Sequence, residues 1–234
     1  MRNELVFAGV NLRAYGVDQV DSIDAWRKPL RKVTKIAVPG RNGDLIVDGD
    51  SYENVVVPYK CTMPSRAKEN YLELLAYLGS FGGYERMEFS GDPNYFRLAR
   101  LQTDVSPDFK AFLRFGSFVL SFDCKPQRFM KSGEIWTSIS ADTSLRNPTS
   151  QKARPIIRIY GTGTVQIGSK TITVNTAGTS YIDFDCDTMD AYEGAYNRNS
   201  NISIDFEDLF LAPGNNGIAL DGPTIKIQPR WWEI

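Results

Sequence analysis

Residues 115–124 read Phe-Gly-Ser-Phe-Val-Leu-Ser-Phe-Asp-Cys, and they set the class of fold that we expect. Phe118, Leu120 and Phe122 recur at every second position, with Val or Ser between them. Because alternate side chains of a β-strand point to opposite faces, this period of two predicts a strand with one buried face.

Short segments of the same kind follow one another along most of the chain, each bounded by Gly, Pro, Asn or Asp. The further predicted strands are 5–7, 33–38, 54–63, 84–89, 94–102, 155–160, 164–167, 171–174, 181–186, 201–206 and 224–227. In the second half their spacing of roughly 8 to 20 residues is typical of a β-sandwich. We therefore expect a mainly β protein.

Residues 64–79 break this rhythm and predict one helix. Apolar residues three and four positions apart form a single stripe: Ala67, Tyr71, Leu74, Leu75 and Leu78. Such a stripe indicates a helix that packs one face on a core. Thr62 or Ser65 is expected to cap its start, and Gly79 to end it in a left-handed conformation.

A change in composition divides the chain. Thr, Ser, Asn and Asp crowd residues 137–151, and no helical period appears after them. We place the boundary near residue 130. This predicts a β domain with one helix over 1–130 and a β-sandwich domain over 131–234.

The composition excludes several classes of function. The 234 residues include no histidine, which removes Ser-His-Asp and Cys-His nucleophile arrangements and histidine metal sites. A net charge of −1 lacks the basic excess that drives binding to nucleic acid or anionic membranes. No apolar run reaches the roughly 18 residues of a membrane span, and the first residues do not resemble a signal peptide, so we expect synthesis in a cytoplasm and no membrane partner.

Few motifs suggest chemistry. The four aspartates of residues 183–190 lack the Gly and Glu positions of an EF-hand calcium loop, so we expect them on the solvent face of a strand. Trp231 and Trp232 are expected to be an anchor or a protein contact rather than a platform for sugar stacking. Cys61, Cys124 and Cys186 are widely separated and are expected to be reduced core residues. We predict no catalytic, cofactor-binding or metal-binding residues, no cofactor and no enzyme.

Three passages, taken in order, are more specific. The turn Pro-Gly-Arg-Asn-Gly-Asp-Leu lies at 39–45 between early strands, and the aromatic strand Phe-Val-Leu-Ser-Phe-Asp-Cys-Lys-Pro lies at 118–126. The all-β second half opens with Pro-Ile-Ile-Arg-Ile-Tyr-Gly at 155–161 and contains Leu-Phe-Leu-Ala-Pro-Gly-Asn at 209–215. Together they resemble the distal tail proteins (Dit) of phages with long non-contractile tails, over essentially the whole chain.

This resemblance implies a structural role in the virion. It implies an N-terminal ring-forming domain with one α-helix and a β-hairpin, followed by a C-terminal galectin-like β-sandwich. Six copies are expected to form a ring at the tail tip that joins the tail-tube protein to the tail-associated fibre hub protein, with receptor-binding proteins as further partners. The chain length leaves no room for the carbohydrate-binding insertions of longer relatives, so the short form is expected.

Arg41, Asn42 and Asp44 are the candidate subunit-interface residues, because a polar tight turn that projects from a sheet can hydrogen-bond a neighbouring copy. A purely local turn explains the same residues equally well. Two other functions stay open. One is a carbohydrate-binding, lectin-like module, and the other is an all-β glycosidase that uses two carboxylates.

Overall fold

A computed structural model describes residues 2–22, 24–102, 112 and 116–234. The protein is mainly β, as predicted, and the strands within these described residues form four sheets. It divides into two compact units, Met1–Arg128 with Ile234 and Phe129–Glu233. Within the described residues no helix is long and apolar enough to cross a membrane. Phe115, where the predicted aromatic strand begins, lies outside the described residues.

The first unit contains a counterpart of each strand predicted for it and three strands that alternation does not predict. Its elements are β1 (Leu5–Phe7), β2 (Val10–Asn11), the 3-10 turn η1 (Leu12–Tyr15), β3 (Gln19–Ser22), β4 (Arg31–Ile36), β5 (Leu45–Tyr52), β6 (Val55–Thr62), α1 (Ala67–Gly79), β7 (Glu85–Phe89), β8 (Tyr95–Leu101) and β9 (Ser117–Met130). Seven strands of this unit lie in one sheet in the order β2-β1-β7-β8-β9-β6-β3, whereas β4 and β5 form a separate two-stranded sheet.

The core of this unit lies where α1 covers the sheet. Tyr71 and Leu74 of α1 are buried, and the Tyr71 ring lies 5.0 Å from that of Phe118 on β9. The inward positions of β6 and β9 face each other in register, for example Val57 opposite Phe122. Burying a large apolar side chain contributes about 2 kcal/mol, so this layer accounts for much of the unit's stability.

The predicted ends of the helix are wrong, although its existence and buried stripe are confirmed. α1 begins at Ala67, after Arg66 in a left-handed conformation with φ of 47°, and no side chain caps it. Gly79 is the last helical residue rather than a left-handed terminator. Ser80 instead donates both its backbone N–H and its hydroxyl to the Tyr77 carbonyl oxygen, which satisfies the helix end without a residue of positive φ.

The second unit is a sandwich of two antiparallel sheets. Its elements are η2 (Lys131–Glu134), β10 (Thr137–Ile139), β11 (Thr143–Asn147), β12 (Ile156–Tyr160), β13 (Gly163–Ile167), β14 (Lys170–Val174), β15 (Ile182–Asp185), β16 (Asp190–Glu193), β17 (Tyr196–Asn197), η3 (Asn199–Asn201), β18 (Ile202–Ile204), β19 (Gly214–Asp221), β20 (Thr224–Gln228) and β21 (Trp232–Glu233). One sheet has the order β10-β20-β12-β15-β16-β17 and the other β11-β19-β13-β14-β18. Side chains from both, such as Ile157 of β12 and Val165 of β13, share one buried cluster. The galectin-like topology stays a prediction.

Candidate functional site

The most unusual surface of the protein is the hairpin of β4 and β5, which we call the arm (residues 31–52). Its strands pair with each other, with Thr34 opposite Val47 and Ile36 opposite Leu45, and form a sheet of their own. All residues of both strands are exposed except Tyr52, which is half-buried. A two-stranded ribbon without a covering layer is marginally stable in water, and no described residue forms such a layer over the arm.

The arm has apolar side chains on both faces. Ile36, Leu45 and Val47 share one face and are 44%, 42% and 48% exposed. The other face has Val33, 40% exposed, and Ile46, 61% exposed. Exposed apolar residues that lie close together in this way are a common feature of interaction surfaces.

The segment that leads into the arm extends this surface. Trp26 is 63% exposed and Leu30 is 71% exposed. Aromatic residues, tryptophan among them, are enriched at protein interfaces. Exposed apolar side chains therefore occur both in this segment and along the arm.

The predicted interface residues lie in the loop that joins the two strands. Gly40 and Gly43 have φ of 80° and 81°, which explains why glycines occur at these turn positions. Arg41, Asn42 and Asp44 are exposed, and their side chains form no hydrogen bond or ion pair with the part of the chain that the structure describes. These three residues thus lie at the tip of the arm, next to its apolar side chains, and their contact with a neighbouring copy stays a prediction.

The sequence prediction missed the apolar strand β5. Leu45, Ile46 and Val47 are consecutive, so they lack the alternation expected of a half-buried strand, and Asp-Gly-Asp follows them. The signal that indicates β5 is the run of two β-branched residues after the Asn-Gly turn. It identifies a hairpin but not the absence of a covering layer.

Polar contacts at the base of the arm hold its two strands together. Arg31 forms ion pairs with Asp48 and, at 3.5 Å, with Asp50, and its Nε lies 3.4 Å from the Tyr52 hydroxyl. The hydrogen bond with Tyr52, followed by the charge of Asp48, raises the pKa of Arg31. Because these groups are exposed, their contribution to stability is small, and they serve mainly to align the strands.

The C-terminal root of the arm, where the chain passes from β5 to β6, is fixed by a carboxylate of the sheet that contains β6 and β9. Asp123 on β9 accepts hydrogen bonds from Asn54 Nδ2 at 2.9 Å, Tyr84 Oη at 2.8 Å and Arg100 Nε at 3.0 Å. Burial by itself raises the pKa of Asp123, but these three hydrogen bonds outweigh it and lower the pKa. Asn54 lies two residues after the arm, so this network fixes the chain between β5 and β6.

The N-terminal root is held by a buried arginine. Arg97 on β8 is 5% exposed, and its Nη2 donates to the carbonyl oxygen of buried Ala25 at 3.1 Å. Between the roots, the Glu53 backbone N–H donates to the Leu30 carbonyl oxygen at 2.9 Å. The arm therefore projects from two fixed points of the first unit.

The acidic run of residues 183–190 does not form a metal site. Among the described residues no group of three or more Cys, Asp or Glu is arranged to hold a metal ion. Asp183 is 5% exposed and accepts two hydrogen bonds, of 2.7 and 2.8 Å, from Arg158. The expected solvent position is thus wrong for Asp183, because the guanidinium of the neighbouring strand covers it.

Of the two tryptophans, Trp231 is buried, as predicted for an anchor, whereas Trp232 is partly exposed. Trp231 is 5% exposed in the core of the second unit, and Trp232 Nε1 donates to the Lys152 carbonyl oxygen at 2.9 Å. A buried indole cannot present its face to a sugar. This removes Trp231 as a platform for sugar binding, whereas Trp232 is partly exposed.

Comparison with known proteins identifies the fold. No protein-family model and no curated protein matches this chain. Among solved structures, the Dit protein of phage SPP1, described as a paradigm of the hub adsorption apparatus in phages that infect Gram-positive bacteria, matches with a TM-score of 0.74 and 16% identity over 100% of both chains. A chain of the phage P2 baseplate in its activated conformation with Ca matches with a TM-score of 0.50 and 13% identity, over 97% of this chain and 98% of that one. The chain thus has the fold of a distal tail protein, and the resemblance inferred from the sequence is confirmed at that level.

Proposed function

We propose that this protein is a distal tail protein that forms a hexameric ring at the tip of a phage tail. The observation that carries the proposal is the arm, whose apolar side chains are exposed on both faces in a chain with the fold of the SPP1 Dit protein. The ring joins the tail-tube protein to the tail-associated fibre hub protein, and the ring is the place where receptor-binding proteins attach. The protein is made in the host cytoplasm and functions in the virion.

The arm suits a ring better than a two-fold dimer. In a cyclic ring each copy uses one surface to bind a different surface of the next copy, so the contact repeats until the ring closes. A projecting ribbon with fixed roots supplies one of the two different surfaces of such a contact, and its apolar faces become buried on the neighbouring copy. The tip residues Arg41, Asn42 and Asp44 then hydrogen-bond the neighbouring copy.

The second unit fits a role in binding rather than in catalysis. Its six-stranded and five-stranded sheets support a galectin-like sandwich. The proposed function gives the protein no reaction step. Its partners are other copies of the same chain and the adjoining tail proteins.

Native mass spectrometry with negative-stain imaging tests the ring. We expect a closed species of about 158 kDa, six copies of the 26.3-kDa chain, with a central hole. To test the role of the arm, a shortened variant of the chain replaces residues 33–48 with an Asn-Gly turn. Lys32 and Gly49 lie close enough for this, since a Cβ on Gly49 would be 3.0 Å from the Lys32 carbonyl oxygen.

The shortened chain is expected to fold and to stay monomeric. Circular dichroism and thermal unfolding report whether the large sheet of the first unit is intact. A ring that forms equally well without the arm contradicts the role of the arm. A full-length chain that stays monomeric even when mixed with its tail-tube protein contradicts the ring itself.

A further inference from the structure

The loop at the tip of the arm contains an Asn-Gly pair that the rest of the described chain leaves unrestrained. Asn42 is exposed, and neither its side chain nor the backbone N–H of Gly43 forms a hydrogen bond with the described residues. Apart from the two neighbours of Gly43 in the chain, no described residue has an atom within 4 Å of the place that a Cβ on Gly43 would occupy. The Gly43 nitrogen is therefore open to approach by the Asn42 side chain.

These two residues can react with each other by a route that needs only water. The Gly43 backbone nitrogen attacks Cγ of Asn42: the N–Cγ bond forms, the Cγ–Nδ2 bond breaks, and the side-chain nitrogen leaves as ammonia with the proton of the Gly43 N–H. Water then opens the resulting succinimide ring at either carbonyl group, which gives aspartate or isoaspartate. A glycine in the second position favours ring closure because it has no Cβ to hinder the nitrogen.

The other Asn-Gly pair of the sequence, Asn216-Gly217, is held away from this reaction by the fold. Asn216 is 8% exposed, its Oδ1 accepts from the Ala212 backbone N–H at 2.7 Å, and its Nδ2 donates to three carbonyl oxygens. Both residues also pair with β11, Asn216 opposite Leu145 and Gly217 opposite Ser144. Attack on Cγ of Asn216 has to break these hydrogen bonds, each of which contributes about 1 kcal/mol, and to open the strand.

Asn94 has the exposure of Asn42 without the glycine. It lies in the turn before β8, and Tyr95 follows it. The Tyr95 backbone N–H donates to the Asp92 carbonyl oxygen at 3.2 Å, and the Tyr95 side chain hinders its nitrogen. Asn94 and Asn216 therefore each have one of the two properties that Asn42 combines, which makes them matched comparisons within one chain.

We propose that Asn42 is a site of spontaneous deamidation, at which the Gly43 nitrogen closes the succinimide ring and the tip of the arm gains a negative charge. The charges of Arg41 and Asp44 balance before the reaction, so the new carboxylate leaves the loop with one negative charge in excess. Isoaspartate also lengthens the backbone by one carbon atom. The arm of an old chain thus differs from that of a newly made chain in both charge and shape.

The reaction at Asn42 does not depend on ring formation, whereas its link to assembly rests on the proposed function. In the proposed ring a neighbouring copy covers the tip and forms hydrogen bonds with it. A covered tip reaches the geometry of ring closure less often, so assembled copies convert more slowly than free monomers. The modification therefore accumulates on chains that stay outside a ring.

Incubation of the full chain at mildly alkaline pH, with protease digestion and mass spectrometry of samples taken at intervals, measures conversion at all three asparagines in the same protein. We expect conversion at Asn42 to be at least tenfold faster than at Asn94 and Asn216, with isoaspartate among its products. Gly43→Ala is expected to slow conversion at least fivefold, because a methyl group then hinders the nitrogen. Space around residue 43 is open, so this variant folds at a cost of about 1 kcal/mol for the positive φ.

Three results would overturn the proposal. One is conversion at Asn42 that is no faster than at Asn94, and another is conversion that continues unchanged in Gly43→Ala. The third is a product that contains aspartate alone, since direct hydrolysis of the amide makes no isoaspartate. Asn42→Gln gives a second test, because its longer side chain cannot close the same ring, and conversion at residue 42 is then expected to fall to the level of Asn94 or below.

The link to assembly is measured on ring and monomer fractions that are separated by size-exclusion chromatography and incubated in parallel. We expect conversion at Asn42 to be at least fivefold slower in the ring fraction. Equal rates in the two fractions contradict the covering of the tip by a neighbouring copy. If no ring forms, the proposed function fails, whereas conversion in the monomer still decides whether Asn42 is a modification site.

Discussion

Val47→Asp on the arm is expected to abolish ring formation without unfolding the protein. Val47 is 48% exposed, so about half of its side chain is free to be buried by a neighbouring copy. Complete burial of a valine contributes about 2 kcal/mol, and the exposed half therefore contributes about 1 kcal/mol to each contact. An unpaired carboxylate buried at the same place costs about 3 kcal/mol more. The sum of about 4 kcal/mol weakens each contact by about a thousandfold.

Val119→Asp provides a matched control. Val119 is 46% exposed on β9 of the large sheet, so the same substitution introduces the same charge at nearly the same exposure. The free energy of unfolding of each variant should lie within about 0.5 kcal/mol of that of the wild type, because both positions face solvent in the monomer. Sedimentation velocity over a range of concentrations gives the contact strength, and urea unfolding gives the monomer stability.

Two results would refute the role of the arm surface. One is a Val47→Asp chain that assembles like the wild type. The other is a Val119→Asp chain that is equally defective, since the charge rather than its place on the arm would then prevent assembly.

Three further predictions concern the monomer. Asp123→Asn is expected to destabilise the first unit by about 2 kcal/mol at pH 7. Because the pKa of Asp123 is lowered in the folded protein, this difference in stability is present above about pH 4 and disappears as the pH falls through the folded pKa; measuring the free energy of unfolding at a series of acidic pH values checks it. Gly163→Ala places a Cβ 2.0 Å from the Asp221 carbonyl oxygen at φ of 143°, so it should cost about 3 kcal/mol in urea unfolding, against about 1 kcal/mol for Gly168→Ala, which has φ of 60° and open space. Burial raises the pKa of all three cysteine thiols, so none should react with an aromatic disulfide reagent at pH 8 until the protein is unfolded.

Alternation predicted the fold where each strand has one buried and one exposed face. Phe118, Leu120 and Phe122 are buried, and the stripe through Tyr71 and Leu74 packs against them, because a single chain supplies both sides of this core. The pattern of residues and the pattern of burial then agree. Helix ends were less predictable, since Ser80 and a left-handed Arg66 replace the expected capping residues.

Strands without such alternation were missed for identifiable physical reasons. β19 begins with Gly214, Asn215 and Asn216, which are typical of turns, yet Asn216 Oδ1 accepts from the Ala212 backbone N–H at 2.7 Å and its Nδ2 donates to three carbonyl oxygens. A polar side chain that satisfies four backbone groups stabilises a strand that propensity disfavours. Three of these hydrogen bonds are local and one joins Leu145 on β11, and none of them produces the alternation by which strands are predicted.

The arm shows a different limit of sequence interpretation, because no described residue of the chain covers its apolar side chains. Ile36 and Leu45 look like ordinary members of a half-buried hairpin, and only their exposure in the folded chain reveals that no described residue covers them. The position of the arm and the apolar character of its exposed surface are thus set by different residues. Asp123 and Arg97 set where the arm leaves the sheet, so their substitution should reduce both monomer stability and assembly. Side chains such as Val47 contact solvent in the monomer, so their substitution should reduce assembly alone.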